Sequence, residues 1–182
     1  MRMVSRTHWT AEMVRELPDD GNKYETVHGE LLVSPAPREL HDRVQIRLVV
    51  AVAKFLEREP VGALYGSTSD ISWGPDILVQ PDVLVVDMAQ ARTGQWSAMQ
   101  RLLLAVEILS PSSVRADKFT KRALYQRNLV ETYWVVDADT KSVEVWTPGA
   151  IFPVTEEVAL RWKPTGAASD LVIALEELFR PI

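Results

Sequence analysis

A mixed α/β architecture, a central β-sheet flanked by helices, is predicted by three features of the sequence. Residues 40–58 repeat apolar side chains at helical spacing. Several short runs rich in Val, Ile and Leu read as strands. A second helix-patterned stretch, 116–128, falls between strand-like runs, so helices and strands alternate along the chain.

At the N-terminal end, Trp9, Met13, Val14 and Leu17 recur at helical spacing within 7–17, with Thr10 as an N-cap and Pro18 just beyond. Residues 18–22 form a turn cluster, and strands are predicted at 23–27 and 30–34 across a tight His28-Gly29 turn. Pro35 and Pro37 break the chain. In the long helix, Val44, Leu48, Val52 and Phe55 line one face, and Arg43, Arg47, Lys54 and Arg58 form the polar stripe. Pro60 and Gly62 end it. Strands follow at 63–66, 70–73 and 83–86, then a loop or short helix over 88–100. Residues 102–109 are apolar except for one acid and read as a central buried strand, stopped by Pro111. After the helix at 116–128 come strands at 132–136, 142–146, 158–162 and 170–173, and a short helix at 175–179.

The bulk numbers are those of a globular chain of 182 residues, 47% hydrophobic and 25% charged, and favour one domain over 1–182, with 7–34 as an extension of its core. With no cysteine, disulfides, thiolate metal sites and cysteine nucleophiles are excluded. Residues 1–9 are polar and hold no signal-like apolar core, and no run is long enough to span a bilayer, so a cytoplasmic protein with no membrane partner is expected. The net charge of −5 argues against a basic coat for nucleic acid, although charge at a local groove matters more than the total.

Two carboxylates stand out. Asp82 lies between Pro81 and the run Val83-Leu84-Val85-Val86, and Glu107 interrupts the 102–109 run. An ionised group in an apolar strand is costly unless it is paired, solvated or metal-bound. Two such acids on adjacent strands would make an oxygen-rich pocket suited to Mg²⁺ or Mn²⁺, with the Ile108 carbonyl as a third ligand. Alternatively each acid points to solvent at a strand end. In the helix after the second of these strands, Asp117, Lys121 and Tyr125 share one face, and Arg115, Lys118 and Arg122 share another. One face would then turn a lysine toward the acids while the other meets phosphates, unless the helix is simply solvated.

The order Tyr24-Glu25, Gly29-Glu30-Leu31, His41, Pro81-Asp82-Val83, then Val106 to Ser113 read as VEILSPSS, then Asp117, Lys121 and Tyr125, then Glu131 to Asp137 read as ETYWVVD, resembles the bacterial Uma-two family of restriction-endonuclease-like proteins. The resemblance runs from about Tyr24 to Phe179, and the block Glu-Ile-Leu-Ser-Pro-Ser is its most specific part. It implies a restriction-endonuclease-like core of the PD-(D/E)XK type. Asp82 and Glu107 would be the motif acids. The usual lysine position, two residues after the glutamate, holds Leu109, which points to Lys121 as the displaced lysine and Lys118 as the fallback. Glu30 and His41 match family positions, as an acid lining the cleft or an exposed hairpin residue, and as a phosphate or metal contact or a helix cap.

The activity so implied is metal-dependent hydrolysis of phosphodiester bonds, with DNA as the partner and Arg115, Lys118 and Arg122 as phosphate contacts. A homodimer is expected, as in many restriction-like enzymes. Two rivals stay open: a non-cleaving nucleic-acid-binding module on the same fold, and an oligomer-forming protein with no nucleic-acid role. A serine hydrolase is disfavoured, because Ser110, Ser112 and Ser113 lie in no G-x-S-x-G motif.

Overall fold

The structure, a computed structural model, describes residues 7–182, so the polar start expected to lack a signal core lies mostly outside the described residues. The elements run as α1 (Ala11–Arg15), β1 (Lys23–Val27), β2 (Glu30–Ser34), α2 (Glu39–Arg58), β3 (Gly62–Gly66), β4 (Ile71–Gly74), β5 (Ile77–Val79), β6 (Val83–Asp87) and α3 (Met88–Ala91). After a 3₁₀ turn at Trp96–Ala98 come β7 (Leu102–Ile108), a π-helical turn (Ala116–Lys121) that runs into α4 (Arg122–Arg127), β8 (Tyr133–Asp137), β9 (Ser142–Trp146), β10 (Val154–Glu156), β11 (Ala159–Trp162), β12 (Leu171–Ala174) and α5 (Leu175–Leu178). Thr10 caps α1 as predicted, accepting from the Met13 amide at 3.2 Å.

Six strands make the large mixed sheet, in the order β10-β9-β8-β7-β6-β3. β7 and β8 run parallel, and the other neighbours are antiparallel. The crossover between β7 and β8 is the π turn and α4, as a parallel pair requires. A second sheet, β2-β1-β5-β4, is wholly antiparallel, and β11 and β12 form a ribbon.

The large sheet is covered on both faces. Val44, Leu48, Val52 and Phe55 of α2 pack on Val83, Val85, Val106 and Ile108, and the ribbon and α5 extend this layer through Leu160, Trp162 and Leu175. On the other face, Leu84, Ala105, Tyr133 and Val135 meet Val27 and Val79 of the second sheet and Leu124 and Tyr125 of α4. Burial on both faces explains why β6, β7 and β8 read as continuous apolar runs rather than alternating ones. At the start of β3 the backbones approach closely. A Cβ on Gly62 would lie 2.6 Å from Val85 Cγ1 and 2.7 Å from the Val86 carbonyl oxygen. Gly62→Ala is expected to cost roughly 1–3 kcal/mol by overpacking, read from chemical denaturation midpoints.

Most predicted elements lie within a residue or two of their observed bounds. α1 is shorter than the periodicity suggested, the 88–100 segment carries two short turns, and β5 and β10 were not predicted, each being only three residues long. Short as it is, β5 positions an acid. It links β1 to β4 and leads through Gln80 and Pro81 into Asp82, where the chain passes from the small sheet to the large one.

Candidate active site

Asp82 stands at the entry to β6, with 5% of its surface exposed. Its own amide donates to the Val106 carbonyl at 2.9 Å, which ties it to β7. The Ile108 amide donates to Oδ2 at 2.8 Å, and His41 Nε2 lies 3.1 Å from the same oxygen. Gln45, one turn further along α2, donates to the Asp82 carbonyl at 2.7 Å. The side chain is thus held from both β7 and α2.

Glu107 projects from β7 toward α4. Its Oε1 accepts from Tyr125 Oη at 2.8 Å and from Lys121 Nζ at 3.1 Å. The Lys121 ammonium is buried among three carboxylates, with Glu25 Oε2 at 2.6 Å and Asp117 Oδ1 at 3.3 Å completing the set. Asp117, Lys121 and Tyr125 therefore do share a face, as their spacing suggested, and that face is turned inward. The π-helical turn that carries Asp117 and Lys121 is a form often found at functional positions.

The sequence did not single out Lys23, and Glu25 stood out only as part of the family pattern. Lys23 Nζ lies 3.1 Å from Asp82 Oδ1 and 3.9 Å from Glu107 Oε2, and donates to the Gln80 carbonyl at 2.8 Å. Glu25 Oε1 accepts from the Gln80 amide at 2.7 Å. The available signal was their i, i+2 spacing, which puts both on one face of β1. Their arrival at the acids depends on pairing between β1 and β5, which no local pattern encodes. Asp82, Glu107, Lys23, Lys121, His41 and Asp117 all line one cavity of about 360 Å³.

The charges are strongly coupled. Burial by itself would raise the Asp82 carboxyl, but Lys23, His41 and the Ile108 amide overcome this and hold it well below the usual carboxylate range. For Glu107 burial wins against Lys121 and Lys23, aided by the nearby Asp117 and Asp82, and its pKa is pushed up to about 8. Burial opposes the Lys121 charge, yet Glu107, Glu25 and Asp117 outweigh it and hold the ammonium well above an ordinary lysine. Burial and then Glu107 push the Tyr125 phenol far up, so it remains a neutral donor.

Residues 11–174 match the Uma2 family, described as "Putative restriction endonuclease". The chain belongs to the Uma2 family. Among solved structures, it resembles one described as a "putative nuclease belonging to DUF820" from Anabaena variabilis, at 22% identity and a TM-score of 0.75, over 94% of this chain and 97% of that one. This likeness shows the fold. Comparison with curated proteins found no match.

This Uma2 member does not bring every predicted site residue to the cavity. Glu30 is an exposed residue at the start of β2, at the opposite end of the hairpin from Lys23, so of its two readings the exposed hairpin residue is the one observed and the cleft acid is corrected. His41 does not cap α2, whose N-cap is Arg38; it binds Asp82 instead. Lys118 pairs with Glu144 of β9 at 2.7 Å, and the Arg122 guanidinium lies 4.8 Å over the Trp146 ring. Lys118 and Arg122 thus pack toward β9, Arg115 is exposed, and none of the three lines the cavity. The expected phosphate role for these residues therefore finds no support in their placement, and Lys118 is removed as the fallback lysine.

The Uma2 acids fit a hard divalent cation. Four acids, Asp82, Glu107, Glu25 and Asp117, surround two ammonium groups, so once all four are ionised their negative charge exceeds what the lysines offset. Tyr125 and Lys121 occupy Oε1 of Glu107, while among the described residues no hydrogen bond reaches Oε2, which lies 3.9 Å from Lys23 Nζ. Among the described residues no set of three or more His, Asp or Glu side chains is arranged to hold an ion. An ion at Asp82 and Glu107 would thus complete its shell with backbone carbonyl and water, as Mg²⁺ and Mn²⁺ do.

Proposed function

We propose that the protein is a divalent-metal-dependent endonuclease that hydrolyses phosphodiester bonds in DNA, centred on Asp82 and Glu107. One arrangement carries this reading. Two buried carboxylates from neighbouring strands open on the same cavity, close enough for one ammonium to approach both. Mg²⁺ or Mn²⁺ held by Asp82 and Glu107 would lower the pKa of a bound water and polarise the phosphoryl oxygens.

The chain's own groups prepare the site. The Ile108 amide and His41 fix Oδ2 of Asp82, and so orient the carboxylate. Tyr125 and Lys121 fix Oε1 of Glu107, so Oε2 is the oxygen left for ligation. Lys121, enclosed by acids, is a positioning residue that sustains their charge. In the overall reaction the water oxygen joins phosphorus as the bond to the departing oxygen breaks. The water gives up a proton and the departing oxygen gains one. Cutting both strands of a duplex calls for two such centres, which a homodimer would supply.

The test is conversion of supercoiled plasmid to nicked circles by the purified protein with Mg²⁺ or Mn²⁺, and its arrest by a chelator. Absence of nicking with either ion sinks the reading, and salt-dependent DNA binding without nicking moves it to a non-cleaving module.

Ligation also has a pH signature. Glu107, whose pKa lies near 8, must lose its proton to bind a cation. Apparent Mn²⁺ affinity should therefore rise roughly tenfold per pH unit below about 8 and level off above it. Calorimetry at neutral pH in buffers of different ionisation enthalpy should register about one proton released per ion. An affinity that stays flat across this range would show that Glu107 is not a ligand.

A further inference from the structure

The geometry points to Lys23, rather than Lys121, as the lysine that touches the scissile phosphate, an assignment that rests on the proposed nuclease activity. Lys23 and Lys121 are the two amines in the cavity lining. An ammonium has three N–H donors. Lys121 has three carboxylates within 3.3 Å, donates to Glu107 Oε1 at 3.1 Å, and its side chain is 2% exposed. Its charge is already met by three acids, and almost none of it is open to solvent.

Lys23 differs on each count. Two of its donors are used, on the Gln80 carbonyl at 2.8 Å and Asp82 Oδ1 at 3.1 Å. Its other near neighbour, Glu107 Oε2, is at 3.9 Å, beyond hydrogen-bond distance. One N–H therefore has no partner among the described residues. The Lys23 side chain is 21% exposed while the acids beside it are 7% and 2% exposed. Lys23 is thus more open to solvent than either acid, and it lines the cavity that a phosphate would enter. A cation there would bind a non-bridging phosphoryl oxygen and stabilise the charge that grows on it. Lys23 also reaches this position from β1, so the amine missing from position 109 is supplied from the other sheet.

Two measurements test this. The first is acetylation of the native protein with acetic anhydride, mapped by mass spectrometry, with and without a short DNA duplex held by Ca²⁺ to prevent cleavage. Lys23 should be modified in the free protein and protected by the duplex, while Lys121 stays unmodified in both. The second compares Lys23→Met and Lys23→Cys. Each should slow single-turnover nicking by roughly 100-fold or more, the scale of losing one donor to a developing oxyanion. Mn²⁺ affinity should be retained or increased, because an ammonium that shares both ligands has gone. Treating Lys23→Cys with 2-bromoethylamine, which rebuilds an amine of lysine length, should restore most of the rate. Nicking by Lys23→Met within a few-fold of the unaltered protein, or modification of Lys23 that the duplex does not reduce, would overturn the assignment while leaving the nuclease reading intact. If the unaltered protein fails to nick with any divalent ion, both fall together.

Discussion

Asp82→Asn and Glu107→Gln should each lower plasmid nicking by at least about 100-fold while leaving the protein folded. Loss of groups that merely orient metal ligands costs 10- to 100-fold, so loss of a ligand itself should cost no less. Both substitutions keep the side-chain volume and remove the charge. In Glu107→Gln, Lys121 retains Glu25 at 2.6 Å and Asp117 at 3.3 Å, so the buried ammonium is not stranded. In Asp82→Asn, the Ile108 amide still meets an oxygen, and Lys23 keeps the Gln80 carbonyl. Unchanged far-UV circular dichroism with weakened Mn²⁺ binding would separate lost chemistry from lost structure. Nicking that persists in either variant would remove that residue from the reaction.

Lys121→Met is expected to show the largest effect on stability. It deletes the one cation enclosed by Glu25, Glu107 and Asp117, all of them buried. Breaking a buried ion pair from one side typically costs about 3–5 kcal/mol, since the remaining charge has no compensation. In a chain of this size that corresponds to a fall in Tm on the order of 10 °C. The pH dependence has a definite sign. The folded pKa of Lys121 lies above the unfolded lysine value, so its stabilisation is fully present below that unfolded value and is lost only at strongly alkaline pH. In Lys121→Met the stranded carboxyls bind protons more readily when folded than when unfolded. The deficit should therefore shrink as pH falls from about 8 toward 6, where protonation relieves the repulsion. Thermal melts across that range would show it, and a variant as stable as the parent would mean that the lysine contributes nothing net.

Much of this centre was readable in the amino-acid order. Glu107 was conspicuous because an acid within a strand apolar on both sides needs a reason to be there, and Asp82 because it precedes a second such strand. The i, i+4, i+8 spacing of Asp117, Lys121 and Tyr125 correctly placed them on one helical face. What spacing could not tell was which face turned inward. The basic face of Lys118 and Arg122 found its partners in Glu144 and Trp146, more than twenty residues further on. Lys23, and the place of Glu25 in the centre, escaped notice for the same physical reason. Their importance comes from a strand pairing with β5, itself too short to announce a period, and their spacing shows only that they lie together on one face of a half-buried hairpin.

That hairpin has a consequence for how the centre is assembled. β1 holds Lys23 and Glu25, whereas the large sheet and its crossover helix hold Asp82, Glu107 and Lys121. The centre is an interlock between two layers, and neither layer contains it alone. Separation of β1 from β5 would withdraw an amine and an acid at one stroke. A chain caught in that state would keep its main scaffold and stay chemically dormant.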